Sequence, residues 1–311
     1  MQTVKLFSGT SGLNTKIDPT RAPFSPEVGI PWLATAKNVM VDDSGRISRI
    51  KGYSKKLSGS FHSLYHGAGM TVAVTGDALS IIHQDFTRTP IRNITPHAQM
   101  SYVTVDGKIF YANGFEIGYI ENELSAVWAY HGPRPGANTD REFSSPPIGD
   151  IVQHYKGRML MAAGDTIWYS EPYDFSAFDY ARNFLRFENR VTMILPVDSG
   201  IYVSDEKDLF FLHGDASKES FFVKRKLFAL PAIKGTGVQC QGQIDMSNPE
   251  EPKVILGAGG MGVLFLNAIG ICYGDGDGRL VNVSHNKIGL PKASSGCSFV
   301  DNGIFYTVLN P

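Results

Sequence analysis

The feature that most constrains this chain is an internal repeat. Five segments align without gaps: MTVAVTGDALSII from Met70, KIFYANGFEIGYI from Lys108, RMLMAAGDTIWYS from Arg158, GIYVSDEKDLFFL from Gly200 and GVLFLNAIGICYG from Gly262. Each reads as an apolar arm, a turn at its sixth to eighth position, and a second apolar arm. The turns are Gly76-Asp77, Asn113-Gly114, Gly164-Asp165, the Asp205 to Asp208 run, and Asn267-Ala268. Asn-Gly and Gly-Asp pairs tolerate the positive φ of tight hairpins, so each segment is expected to be a β-hairpin. A sixth copy, GIFYTVLNP from Gly303, stops after its first arm.

The copies are spaced by 38, 50, 42, 62 and 41 residues. Periods of that size, with several short strands per unit, fit β-propeller blades. The arms IFYA, MLMA and VLFL are apolar throughout rather than alternating, which marks strands covered on both faces. A β-sandwich with regular hairpins is the other all-β reading, but it calls for more strands with one polar face. The expected fold is therefore all-β: a six-bladed β-propeller with loop insertions at 131–147 and 234–252. SAFDYARNFLRFEN (176–189) is the only helix candidate, and a weak one by propensity.

Ahead of the repeat, KNVMVDDSGRISRIKGY (37–53) reads as a hairpin around an Asp-Asp-Ser-Gly turn. The last copy lacks outer strands, and an unpaired sheet edge is a liability. The expectation is that this N-terminal hairpin, residues 37–57, completes the last blade and closes the ring. The domain reading is an extended arm over 1–36 followed by a propeller over 37–311.

The composition is that of a folded globular chain: 311 residues, 42% apolar, 19% charged, formal charge -1. The charge is uneven, with nine Lys/Arg against four Asp/Glu in the first sixty residues. Arg46, Arg49, Lys51, Lys55 and Lys56 form a basic cluster that is either a solvated hairpin face or a contact for DNA phosphates or an acidic partner. Cys240, Cys272 and Cys297 are odd in number and unpaired by spacing, so free thiols are expected. No apolar stretch is long enough to span a bilayer as a helix, and no membrane partner is expected.

Catalytic and metal signatures are weak. His62 and His66 have i, i+4 spacing without the Glu of HExxH. YGDGDGRLV (273–281) resembles the start of an EF-hand loop, but Asn286 stands where the bidentate Glu belongs, so a hairpin turn is the better reading. GAGGMG (257–262) is not followed by a helix that could present amides to a phosphate. No catalytic residue, metal or cofactor is assigned, and the chain is expected not to be an enzyme. Trp128, Trp168 and Tyr173 are read as core or inter-blade packing, or else as a sugar-stacking set.

Three passages carry a family resemblance. They are GLNTKIDP…ATAKNVMVDDSGRISRIKGY, GRMLMAAGDTIWYSEPYDFSAF (157–178) and VTMILPVDSGIYVSDEKDLFFLHGD (191–215). Together they resemble the propeller-containing tail hub, nozzle or packaged-DNA stabilisation proteins of short-tailed bacteriophages. The resemblance covers most of 11–215. It implies a non-enzymatic structural virion protein that extends the DNA channel below the portal and helps retain the genome until ejection. It further implies a homo-oligomeric ring, a hexamer by analogy. The implied partners are the portal or adaptor, other tail proteins and non-specifically passing double-stranded DNA. The implied location is the virion tail, after assembly in the host cytoplasm. The family's members often carry long insertions that this chain lacks. Arg134, Arg141, Glu142, Glu250 and Glu251, in the two loops, are the candidates for subunit contacts. The rival reading is a carbohydrate-binding or glycan-hydrolysing propeller used in host attachment.

Overall fold

The computed structural model describes residues 10, 12–18, 32–42, 44–50, 52, 54–132, 141–214, 223–247, 252–284 and 287–310. Among these residues all regular structure is strand, and the sheets form the blades of a β-propeller. The first blade comprises β3 (Phe61–Gly67), β4 (Met70–Thr75), β5 (Ala78–Ile82) and β6 (Arg88–Asn93). The second comprises β7 (Ser101–Val105), β8 (Lys108–Ala112), β9 (Ile117–Glu121) and β10 (Leu124–Val127). The third comprises β11 (Ile151–Tyr155), β12 (Arg158–Ala163), β13 (Thr166–Glu171), β14 (Asp174–Phe178) and a short β15 (Phe184–Arg186) that also pairs with β13. The fourth comprises β16 (Val191–Val197), β17 (Gly200–Asp205), β18 (Leu209–His213) and β19 (Val223–Phe228). The fifth comprises β20 (Val238–Asp245), β21 (Lys253–Asn267), β22 (Gly270–Gly274) and β23 (Leu280–Asn282). The last holds β24 (Ser295–Asp301) and β25 (Ile304–Asn310), and ahead of all of them β1 (Val39–Val41) pairs with β2 (Ile47–Arg49).

Each sheet is an antiparallel meander in chain order, with β15 of the third blade pairing back onto β13. The repeat unit read from the sequence is the second and third strand of each blade: Met70, Lys108, Arg158 and Gly200 open β4, β8, β12 and β17. The lack of alternation in these strands has a direct cause. In β8, Ile109 and Tyr111 pack toward β4 and β5, while Phe110 and Ala112 pack toward the third blade. In β12, Met159 and Met161 face the second blade, and Leu160 and Ala162 face the fourth. In β21, Val263 and Phe265 face the fourth blade, and Leu264 joins Val300 and Phe305 of the last. Five apolar clusters thus join successive blades from first to last.

The last blade differs. Along β25 burial alternates, with Ile304, Tyr306 and Val308 exposed on the face away from the fifth blade, and Phe299 of β24 stacks on Tyr306 at 4.8 Å.

Three expectations need correction. The 176–189 segment is not helical: it contains the end of β14 and all of β15, as its Phe and Tyr content favours. The 234–252 stretch is not simply an insertion, because it contains β20, the first strand of the fifth blade. There Val238, Cys240 and Ile244 pack inward while Gln239, Gln241 and Gln243 alternate with them, an alternation masked by neighbouring Gly and Pro. The N-terminal hairpin forms around the expected turn, with Asp42 Oδ1 accepting the amides of Ser44 and Arg46 at 3.0 Å each. Among the described residues, however, its ladder pairs β1 only with β2, and β24 pairs only with β25. The arm instead meets the connection ahead of β24: Thr15 N donates to Lys287 O at 2.7 Å and Gly289 N to Thr15 Oγ1 at 2.8 Å.

Two-faced burial predicts unequal costs for two phenylalanines. Phe265→Ala, at a fully buried position, should lower unfolding free energy by about 3–5 kcal/mol. Phe299→Ala, 55% exposed, should cost less than about 1 kcal/mol. Urea titration of the two variants distinguishes a blade-on-blade core from one with equal burial at both sites.

Candidate ligand-binding site

The connections that lead into a blade's first strand, and the turns between its second and third strands, lie at one end of the fold. At that end, three blades surround a cavity of about 820 Å³. Its walls come from Thr192 of β16, Glu206 in the β17–β18 turn, Pro231–Lys234 ahead of β20, Asn267-Ala268 in the β21–β22 turn, and Leu290–Ser294 ahead of β24.

The sequence builds this wall firmly. In the turns, Asp205 and Asn267 are fully buried and cap the loops they start. Asp205 Oδ1 accepts the amides of Lys207 (2.8 Å) and Asp208 (2.7 Å), and Asn267 Oδ1 those of Ile269 (3.0 Å) and Gly270 (3.2 Å). Asn113 does the same for Phe115 and Glu116 in the second blade. All three occupy the sixth position of the sequence repeat, where an Asx side chain mimics a backbone turn.

The 231–236 segment is stitched to all three blades. Ala232 N donates to Ser204 Oγ at 3.0 Å, Ile233 N to Leu266 O at 2.7 Å, and Gly296 N to Lys234 O at 2.8 Å. Thr236 Oγ1 donates to Ile233 O (2.7 Å) and accepts from Leu266 N (3.1 Å). Gly235 sits at φ +81°, and a Cβ there would clash with the Gly296 carbonyl oxygen.

Pro231, Ile233, Leu290 and Pro291 give the cavity an apolar body, while Lys234, Lys292 and Glu206 supply its charges. Two cations against one carboxylate favour an anionic guest. Burial pushes the Cys272 thiol beneath the wall up to about 12, which keeps it protonated and poorly nucleophilic at neutral pH. Burial likewise pushes Cys240 up to about 11. Among the described residues no cluster of three or more His, Cys, Asp or Glu could hold a metal ion.

The residues singled out in the sequence lie elsewhere. Arg46, Arg49, Lys55 and Lys56 are exposed, with the Lys56 ammonium 5.8 Å from the Phe86 ring centroid. Lys51, Arg134, Glu250 and Glu251 lie outside the described residues. Glu142 is exposed, but Arg141 is engaged within the third blade. Its Nε donates to Asp179 Oδ2 at 2.9 Å and its Nη1 to Glu171 Oε2 at 3.0 Å, and Asn183 Nδ2 completes the set by donating to Glu171 Oε1 at 2.6 Å. One guanidinium thus neutralises two carboxylates and pins the end of the 131–147 loop.

Trp128 is core, 3% exposed, with its indole N–H on Phe175 O at 3.1 Å. Trp168 packs edge-on to Tyr180, whereas Tyr173 is 70% exposed. The Asp275–Arg279 stretch is a hairpin turn: Asp275 Oδ1 accepts the amides of Asp277 and Arg279, 2.9 Å each. His62 and His66 hydrogen-bond to Ser63 and Thr71.

Lys234, Lys292 and Glu206 were missed by sequence reasoning. Each is a solitary charge in a connection, and only the ring arrangement of the blades brings them together. The signal available was the Pro and Gly content of LPAIKGTG and GLPKASS, which marks shaped connections.

No protein-family model and no curated protein matches the sequence. Solved structures with a similar fold include a gluconolactonase from Xanthomonas campestris, at 11% identity and TM-score 0.46, covering 82% of this chain and 84% of that one. Virginiamycin B lyase from Staphylococcus aureus matches at 13% identity and TM-score 0.46, over 80% of this chain and 84% of that one. A streptogramin B lyase matches at 12% identity and TM-score 0.45, over 83% and 85%. None of these is a phage tail protein, and the tail-hub resemblance and the structural virion role drawn from it find no support in the comparisons. The expectation of a non-enzymatic chain likewise finds no support among these structures, which are enzymes. At such low identity the likeness assigns no activity to this chain. The passages at 157–178 and 191–215 behind the resemblance are accounted for by hairpin chemistry, since tight turns and apolar arms recur in propeller blades.

Two variants test the geometry. Gly235→Ala should destabilise by about 2 kcal/mol or more, from left-handed backbone strain together with displacement of Gly296. Arg141→Met should cost about 2 kcal/mol by stranding Glu171 and Asp179. Chemical denaturation measures both, and an unchanged midpoint for either would contradict the contacts described.

Proposed function

We propose that this propeller binds a small anionic molecule with an apolar body in the cavity between its fourth, fifth and last blades. The observation that carries the reading is the placement of Lys234 and Lys292 around a wall of Pro231, Ile233, Leu290 and Pro291. Apolar walls supply affinity through burial, and a few charged groups fix orientation and select the sign of the guest. The stitched 231–236 segment supports the reading further, because a wall fixed to three blades loses little freedom when a ligand arrives. Glu206 offers a second anchor for a guest that also carries an amine or hydroxyl.

The fluorescent probe 8-anilinonaphthalene-1-sulfonate has the expected chemistry, an aromatic body with one sulfonate. It should bind saturably at one site. The double variant Lys234→Glu/Lys292→Glu should raise its Kd at least tenfold, about 1.4 kcal/mol, with the thermal midpoint nearly unchanged because both side chains are exposed. The uncharged analogue N-phenyl-1-naphthylamine should bind wild type and double variant alike. Equal sulfonate affinity in the two proteins would refute the proposal.

A further inference from the structure

The wall that carries Lys292 is positioned from the N-terminal arm. Leu290–Ser294 line the cavity between the fourth, fifth and last blades, in the connection ahead of β24. One end of this stretch is tied to the last blade, where Ser294 N donates to Asn310 O at 3.0 Å. Its other end is held by the arm. Thr15 N donates to Lys287 O at 2.7 Å, and Thr15 Oγ1 accepts Gly289 N at 2.8 Å, so one residue grips the chain on both sides of Ile288. Leu290 and Pro291 follow at once. Proline has no amide to give and restricts the residue before it to extended backbone, so the direction set at Gly289 carries through to Lys292.

Thr15 is itself fixed. The buried Asn14 donates its amide to Leu33 O at 2.9 Å, and Leu33 N donates to Gly12 O at 2.8 Å, which joins two segments of the arm in a parallel bridge. Asn14 Oδ1 also accepts the amides of Lys16 and Ile17, at 3.2 Å each, and turns the chain after Thr15. Trp32, next to the bridge, has its ring centroid 5.2 Å from the Lys287 ammonium. The arm thus meets the 287–289 stretch with a hydroxyl, an amide and an aromatic ring.

One of the two cations of the cavity and the apolar residues beside it therefore share this external support. Resting on the binding reading above, we infer that Thr15 is a positioning residue for the cavity: its hydroxyl holds Leu290, Pro291 and Lys292 at the width the guest fills. Thr15 is not among the residues that line the cavity. It acts by keeping the wall in place before binding, so that the guest does not meet the cost of ordering it. The linkage is reciprocal, and an occupied cavity holds the arm more firmly on the 287–289 stretch.

Fluorescence titration of Thr15→Val and Thr15→Ser with 8-anilinonaphthalene-1-sulfonate and N-phenyl-1-naphthylamine tests the inference. Valine keeps the shape of the side chain and the main-chain bond to Lys287 but loses the acceptor. Thr15→Val should raise the Kd of both probes about fivefold, the worth of one hydrogen bond, because the apolar wall and Lys292 shift together. Thr15→Ser keeps the hydroxyl and should bind both probes as wild type does. This signature differs from that of Lys234→Glu/Lys292→Glu, which weakens the sulfonate alone. Arg141→Met, destabilising but remote in the third blade, should leave both affinities unchanged, which separates positioning from a general loss of stability. Saturating sulfonate should also slow tryptic cleavage after the exposed Lys16 in wild type. Wild-type affinity of Thr15→Val for either probe, a Thr15→Ser variant no better than Thr15→Val, or cleavage that the sulfonate does not slow overturns the inference while the lysine-dependent site stands. Sulfonate binding that is absent from wild type, or indifferent to the two lysines, overturns the binding reading and the inference with it.

Discussion

The structure depends on one packing condition: the second strand of each blade from the second to the fifth is buried on both faces by its neighbours. A strand in an open antiparallel sheet needs one apolar face. Here, Ile109 and Tyr111 of β8 serve the first blade while Phe110 and Ala112 serve the third, so successive residues must all be apolar. The condition propagates along the fold, because each blade from the second to the fifth is half of two cores. Tyr202, fully buried, shows how polar atoms fit it: its ring packs in the core between the fourth and fifth blades, and its hydroxyl donates to the carbonyls of Asp275 and Arg279 at 2.9 and 3.0 Å. The hydroxyl thereby ties the turn of one blade to the strand of another, where an unpaired buried oxygen would cost stability.

That condition also explains which parts of the fold could be read from the residues. The arms IFYA, MLMA and VLFL carry the two-faced pattern openly, and the turns Asn113-Gly114 and Gly164-Asp165 mark where each arm reverses. Outer and inner strands were less visible. Strand β19, VKRKLF, lies at a blade edge, where Lys226 meets Asp208 at 2.7 Å and Arg225 Nη2 donates to Gly278 O at 2.7 Å. Its charges protect the edge but look like a loop in one dimension. Strand β20 was hidden by its glutamines and Gly242, although Gly242 is small because the Tyr273 hydroxyl lies against it. Two of the three passages behind the resemblance to phage tail proteins are turn and arm patterns of the blades, which belong to the architecture and not to a function.

The site was far less legible than the fold, for a related reason. Propeller strands recur with a period, so their signal accumulates along the chain. The residues of the cavity come from two connections, 229–237 and 283–294, and two turns, at Glu206 and Ala268, which share no sequence pattern. Arg141 shows the converse error. An arginine in a Pro- and Gly-rich loop suggests an outward contact, yet its planar fork fits two carboxylates that the third blade had to neutralise.

The position of the cavity follows from the lengths of the connections. Between the third and fourth blades the chain needs only residues 187–190, and Phe187 turns inward to join Phe210 in the core. A short connection closes the space between adjacent blades with its own side chain. The longer 283–294 connection cannot do so, because it first meets the N-terminal arm at Thr15 and then crosses toward β24. The 229–237 connection is held back against Ser204 and Leu266, so the two diverge and leave room between them. Charges sit where these connections diverge because the side chains of Lys234 and Lys292 are exposed there. The blade-on-blade core thus fixes the cavity's floor, while the detour of one connection sets its width.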